Sequence, residues 1–127
     1  MPDCPFHLAH HILEDTGHGD LFLDTGDATL PTYEVSQEDL QAIRDALARI
    51  PDPIYSLHRD AIESPDQVWP LKRKSDHRKK YLSYEGPVSN NRGQLYSVLK
   101  GRLKFTFPLK PLPEKLWFGV HAASDGQ

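Results

Sequence analysis

The chain has 127 residues, 15 Lys and Arg against 18 Asp and Glu, a net charge of -3, and 38% apolar residues. That length fits one domain with a real core, and 11 prolines with 8 glycines indicate many turns. No 18-residue apolar run and no leader-like N-terminus is readable, and the one cysteine, Cys4, excludes an internal disulfide framework and a thiolate zinc cluster. The expectation is a cytoplasmic, monomeric protein with no membrane partner.

The small net charge conceals a polarity. Up to Leu71 the only basic residues are Arg44, Arg49 and Arg59, whereas Lys72 to Lys115 is strongly basic and nearly free of acids. A basic stretch of this kind favours an anionic partner.

Phe6 to Ile12 reads as a first strand, and His18 to Leu23 as a second. A turn at Asp24-Thr25-Gly26-Asp27 leads to a third extended run, Ala28 to Val35, in which Pro31 indicates an edge strand or a late start. Ser36 opens the one helix, around 36–50. Asp39 stands in the capping-box position, Leu40, Ile43, Ala46, Leu47 and Ile50 form an apolar stripe, and Pro51 and Pro53 stop it. The stretch 51–75 reads as irregular, with Trp69 as an anchor. Lys80 to Glu85 alternates like a strand, and Gln94 to Leu99, Arg102 to Phe107 and Lys115 to Val120 read as later strands, with Lys100-Gly101 as a tight connection. These elements predict a mainly β protein: a curled antiparallel barrel of about 7–8 strands with one short-to-medium helix. The whole chain, 1–127, is expected to be one domain with the helix as an insertion.

Two clusters carry candidate chemistry. His10, His11, His18 and Asp20 fall within eleven residues, and alternation puts His18 and Asp20 on one strand face, about 7 Å apart along the backbone. The second cluster runs from Asp76 to Gly86, where His77 and Tyr81, four apart, share a face in either helix or strand. A site of His11, His18, Asp20 and His77, with Tyr81 close by, offers neutral nitrogen and hard oxygen ligands of the kind that suit Mn²⁺ or Zn²⁺ better than Ca²⁺. His10 reads as an outer or exposed histidine, and His7, His58 and His121 as ordinary surface or partly buried residues. A basic strip from Lys72 and Lys74 through Arg92 to Lys104 is suited to phosphate oxygens and a nucleic-acid backbone. Tyr84, Tyr96 and Trp117 are candidates for base stacking.

A histidine after a first strand, then His18-x-Asp20, then Asp76-His77-x-x-x-Tyr81-x-x-Tyr84-Glu85-Gly86 resembles the 3'-phosphoesterase domain of bacterial and archaeal ATP-dependent DNA ligase D. The chain is most similar to the small stand-alone members, over about Phe6 to Gly101 and interrupted by the helix. Tyr84 to Gly93 is the most specific run. The resemblance implies metal-ligating His11, His18 and Asp20, with His10 in place of His11 if the alignment slips. It also implies catalytic roles for His77 and Tyr81, with His77 or His10 as a further metal ligand or outer partner. The implied activity is Mn²⁺-dependent, with Zn²⁺ or another divalent transition metal as alternatives. It removes a 3'-phosphate or 3'-ribonucleotide from DNA or RNA/DNA ends to leave a 3'-OH for a DNA ligase or polymerase of end-joining repair. One departure stands out: Phe22 occupies the position where the family commonly has a phosphate-contacting arginine. That departure makes an inactive, end-binding member the alternative reading.

Overall fold

The computed structural model describes residues 3–60 and 67–123. Strand β1 (Asp3–Ile12) pairs antiparallel with β2 (Gly17–Leu23), and β3 (Thr29–Ser36) adds to the far side of β2. Alternation gives this meander two unlike faces. Phe6, Leu8, Leu21, Leu23, Tyr33 and Val35 point one way into the main core and are almost wholly buried. His7, Ala9, His11, His18, Asp20, Phe22 and Thr32 share the opposite face, as the register requires.

Helix α1 (Gln37–Arg49) follows β3 directly. Ser36 is its N-cap, its Oγ accepting from the Asp39 N–H at 3.1 Å, and Leu40, Ile43 and Ala46 bury the apolar stripe against the core. The remaining strands are β4 (Ile54–His58), β5 (Val68–Arg78), the two-residue β6 (Gly86–Pro87), β7 (Gln94–Lys104) and β8 (Lys115–His121). Their order is β1-β2-β3-β5-β8-β4-β7-β6, and β7 also pairs with β1, which closes a mainly antiparallel barrel of seven strands with β6 on β7's other edge. Among the described residues the one parallel step is the short β4–β7 pairing. Phe6 on β1 meets Phe118 on β8 at 6.0 Å although these strands are not bonded neighbours, so the main core fills the ring.

Several sequence expectations need correction. The stretch 51–75 is not irregular throughout: it holds β4 and most of β5, while residues 61–66 lie outside the described part. Both strands are held by partners distant in sequence, β4 between β8 and β7 and β5 between β3 and β8, so local pattern hides them. β3 is not an edge strand. It pairs on both sides, and Pro31, which lacks an N–H, sits where the β3–β5 register shifts. Lys79–Leu82 is a 3-10 turn in place of extended chain, because Tyr81 must fold back to stack on Phe22. Lys100-Gly101 lies inside continuous β7, where a Cβ at Gly101 would press on the Phe6 and Tyr55 rings at 3.2–3.3 Å.

Candidate metal centre

His11 near the end of β1 and His18 at the start of β2 face each other in register, and Asp20 follows on the same face. The turn between the strands is closed by the Leu13 N–H donating to the Thr16 carbonyl at 2.8 Å. His18 Nε2 lies 3.1 Å from Asp20 Oδ1, His11 Nδ1 lies 3.4 Å from Asp20 Oδ2, and the two ring nitrogens approach to 3.3 Å. Ligands about 2.1 Å from a shared ion stand roughly 3.0 Å apart in an octahedron and 3.4 Å apart in a tetrahedron. The two ring nitrogens and the His18–Asp20 pair fall in or near that range, and one ligand atom from each of His11, His18 and Asp20 can be taken with all three within 4.8 Å of one another, so the group could hold a divalent metal ion.

The tautomer of His11 is fixed from outside the cluster. Its Nε2 lies against the backbone carbonyl of Arg92, which can only accept, so Nε2 carries the proton and Nδ1 is the nitrogen turned to Asp20. Alternation settles the choice between the two adjacent histidines. His10 points to the other face, where its Nδ1 accepts from Arg44 at 3.3 Å and its Nε2–H donates to Gln37 Oε1 at 3.1 Å, both on α1. It is a clasp to the helix and takes no part in the cluster.

A cation already stands at the cluster. Lys74 Nζ is 3.3 Å from His18 Nε2, 3.4 Å from Asp20 Oδ1 and 3.5 Å from Glu34 Oε1. Asp20 is 2% exposed. Burial alone would oppose its ionisation, but hydrogen bonds from His11 and His18 and the Lys74 charge prevail and hold the carboxyl well below the usual carboxylate range. The Asp20 hydrogen bond, against the opposing effect of burial, raises the His11 pKa.

These residues line a cleft of about 530 Å³ that also takes in His77, Tyr81 and Arg92. His77 Nδ1 is 3.0 Å from the Ser75 carbonyl and 3.1 Å from Thr32 Oγ1, so Nδ1 carries the proton. Burial lowers the pKa of His77, which favours the neutral ring. Tyr81 is held by its own backbone: the Nδ1–H of the fully buried His7 donates to the Tyr81 carbonyl at 2.7 Å, and His7 Nε2 accepts from Ser97 Oγ at 2.7 Å. Phe22 is 0% exposed, with the rings of His7, His77 and Tyr81 around it at 5.2–5.8 Å. The Phe22 position is therefore sealed by aromatic rings, and Lys74 on β5 brings a positive charge to 3.4 Å from Asp20.

Of the expected phosphate ligands, Lys74 and Arg92 line the cleft and Lys72 does not: it is exposed on β5 outside the lining. The Arg92 guanidinium donates to the Ser89 carbonyl at 3.0 Å, so its most direct part in the site is through its backbone. Tyr84 donates its hydroxyl to the Pro87 carbonyl and has Lys80 Nζ 4.7 Å over its ring, which occupies the face a base would need. Tyr96 is exposed but paired with His10 on the helix face, away from the cluster. Sequence reasoning missed the supporting roles of His7, Thr32 and Glu34. Each lies on a strand separate from the residue it supports, and no spacing rule reaches that far.

Fold and site together define a mainly β barrel with a His-His-Asp group that could hold a divalent metal, in a cleft edged by Lys74, Arg78 and Arg92. Comparison with protein families, curated proteins and solved structures gives no match for the chain. Among the described residues, no helix is long and apolar enough to cross a membrane.

Proposed function

We propose that this chain is a divalent-metal-dependent phosphoesterase acting on nucleic-acid 3' ends, akin to the 3'-phosphoesterase domain of DNA ligase D. The observation that carries the reading is the convergence of His11, His18 and Asp20 in one cleft with Lys74 and His77. The substrates would be a 3'-phosphate or 3'-ribonucleotide on DNA or RNA/DNA. The product would be a 3'-OH for a ligase or polymerase of end-joining repair, with Mn²⁺ as the preferred ion and the chain acting as a cytoplasmic monomer.

A divalent ion held there would polarise a phosphoryl oxygen and make nearby water a better nucleophile. Lys74, turned from Asp20 to the substrate, would neutralise a non-bridging oxygen. His77, neutral with Nδ1–H engaged by Ser75, would present Nε2 to take the proton of the attacking water, and the leaving 3' oxygen would take its proton from solvent. Tyr81, pinned through His7, would place its hydroxyl at the phosphate. The exposed Lys72 and Arg78 suit the adjoining strand backbone.

The test is phosphate release from a 3'-phosphorylated duplex end with added Mn²⁺. His18→Ala and His77→Ala should each abolish it, and undiminished release in both rejects the assignment. Phe22 motivates a second reading, in which the chain binds such ends without turnover because the arginine position is sealed. That reading requires salt-sensitive end binding and no Mn²⁺-stimulated release from either substrate.

A further inference from the structure

A second group of chemistry-bearing side chains meets where β4 lies against β8. Ser56 and His58, two apart on β4, share a face; the register sets Gly119 opposite Ser56 and His121 opposite Ile54, so His121 shares that face too. Ser56 Oγ is 2.8 Å from His58 Nε2 and 2.8 Å from His121 Nε2, and the two rings stand 6.0 Å apart and nearly perpendicular. Two imidazole nitrogens from different strands thus converge on a single point. Gly119 makes the approach possible: a Cβ there would lie 2.7 Å from His121 Nε2, 2.8 Å from Ser56 Oγ and 3.3 Å from His58 Nε2. The cluster opens into a cavity of about 250 Å³ whose lining also includes Leu57, Phe105 and Thr106.

Hydrogen-bond accounting leaves this trio adaptable. A serine hydroxyl has one proton, so between two neutral imidazoles it donates to one Nε2 and accepts from the Nε2–H of the other. Among the described residues no side chain or carbonyl holds Nδ1 of either ring, so moving the Nε2 proton to Nδ1 gives up one hydrogen bond, that to Ser56 Oγ, and disturbs no other protein contact. Both Nε2 lone pairs then face the point that Ser56 Oγ marks. Ligand atoms in a zinc-like site need separations of roughly 3.3 Å, a spread of about half an ångström from the 2.8 Å contacts present.

We propose that Ser56, His58 and His121 form a second metal site, for a borderline divalent ion such as Zn²⁺ that imidazole favours. Among the described residues the site holds no carboxylate, so hard ions such as Mn²⁺ are left to the Asp20 cluster. Lys104 also lines the cavity but is exposed, so its ammonium stays in water. The ion would tie the five-residue strand β4 to β8 and stabilise the barrel by binding only the folded chain.

The test uses the full, metal-stripped chain titrated calorimetrically with Zn²⁺ and, separately, with Mn²⁺. His58→Ala and His121→Ala should each remove one equivalent of Zn²⁺ and leave Mn²⁺ binding unchanged, whereas His18→Ala should spare that Zn²⁺ equivalent. Gly119→Ala keeps all three ligands but fills the point between them, and should remove the same equivalent with an unchanged circular dichroism spectrum. Zn²⁺ should raise Tm in His18→Ala but not in the double variant His18→Ala/Gly119→Ala, in which both sites are removed. If all three β4–β8 variants keep the wild-type Zn²⁺ stoichiometry, the site does not exist. Because His18→Ala isolates this site, its failure and that of the phosphoesterase reading are separately visible.

Discussion

The Nε2–H of His11 on β1 donates to the backbone carbonyl of Arg92, 81 residues further along the chain, and this contact turns His11 Nδ1 towards Asp20. The loop that delivers the carbonyl is built for close approach. Asn90 and Asn91 both take positive φ, 63° and 57°, and Gly93 follows at 91°. A Cβ on Gly93 would lie 2.2 Å from the Ile12 carbonyl oxygen, so only glycine lets the loop dock on the end of β1. The most specific run of the sequence therefore acts on the metal cluster through its backbone.

Gly93→Ala should lift the loop from β1 and release His11. Conformational strain alone costs about 1–2 kcal/mol, and loss of an outer partner of a ligand histidine typically weakens metal binding about 10–100-fold. Mn²⁺ titration followed by electron paramagnetic resonance reads the affinity, and calorimetric melting reads the strain. An unchanged Mn²⁺ affinity would show that the Arg92 carbonyl does not orient His11.

Lys74 competes with any ion for Asp20 and His18, being 3.4 and 3.3 Å from their ligand atoms. Lys74→Met removes a like charge from beside the metal while keeping an unbranched stem. Mn²⁺ should bind more tightly, by roughly 5–30-fold for an interaction of about 1–2 kcal/mol in this part-exposed setting. On the proposed function, in which the same ammonium neutralises the phosphate, turnover of a 3'-phosphate should fall. Tighter metal with slower chemistry is the signature, and parallel loss of both would assign Lys74 a structural role instead.

How much of this was legible beforehand follows the range of the interactions. The His18-x-Asp20 pair needs only strand alternation, and the helix needs only Ser36, its apolar stripe and the prolines after it; both stand as read. Choosing His11 over His10 needs the β1–β2 register, which the Leu13–Thr16 turn sets and periodicity does not. Lys74 reaches Asp20 only because β5 pairs with β3, and β5 was hidden by Pro70 and its run of cations. His58 and His121 read as ordinary histidines because Ser56, which joins them, is 65 residues from His121.

Phe22 tests whether the site can accept an arginine at this position. Phe22→Arg places a guanidinium in a pocket closed by Tyr81, His77 and His7. An unpaired buried charge costs about 3–5 kcal/mol, so the variant should melt at least ~10 °C lower. Tyr81 would be displaced with it. A variant of wild-type Tm and faster phosphate release would show that the aromatic cover opens readily and that Phe22 alone limits the chemistry.

Metal loading should release protons in a pH window set by His11. In the metal-free protein its Nε2–H is committed to Arg92 and Asp20 favours a second proton on Nδ1, which is why its pKa lies above the ordinary 6.5. A metal needs the Nδ1 lone pair. Above the His11 pKa the ion binds with no displacement of that proton; below it each ion must expel one, and affinity falls about tenfold per pH unit. Asp20, held well below the usual carboxylate range, stays ionised throughout and contributes no proton in this window. Calorimetry of Mn²⁺ binding in buffers of different ionisation enthalpy should find proton release on the acid side of neutrality, at least one per ion, vanishing on the alkaline side. Release that stays at zero down to pH 5.5 would mean that Nδ1 of His11 is not a ligand.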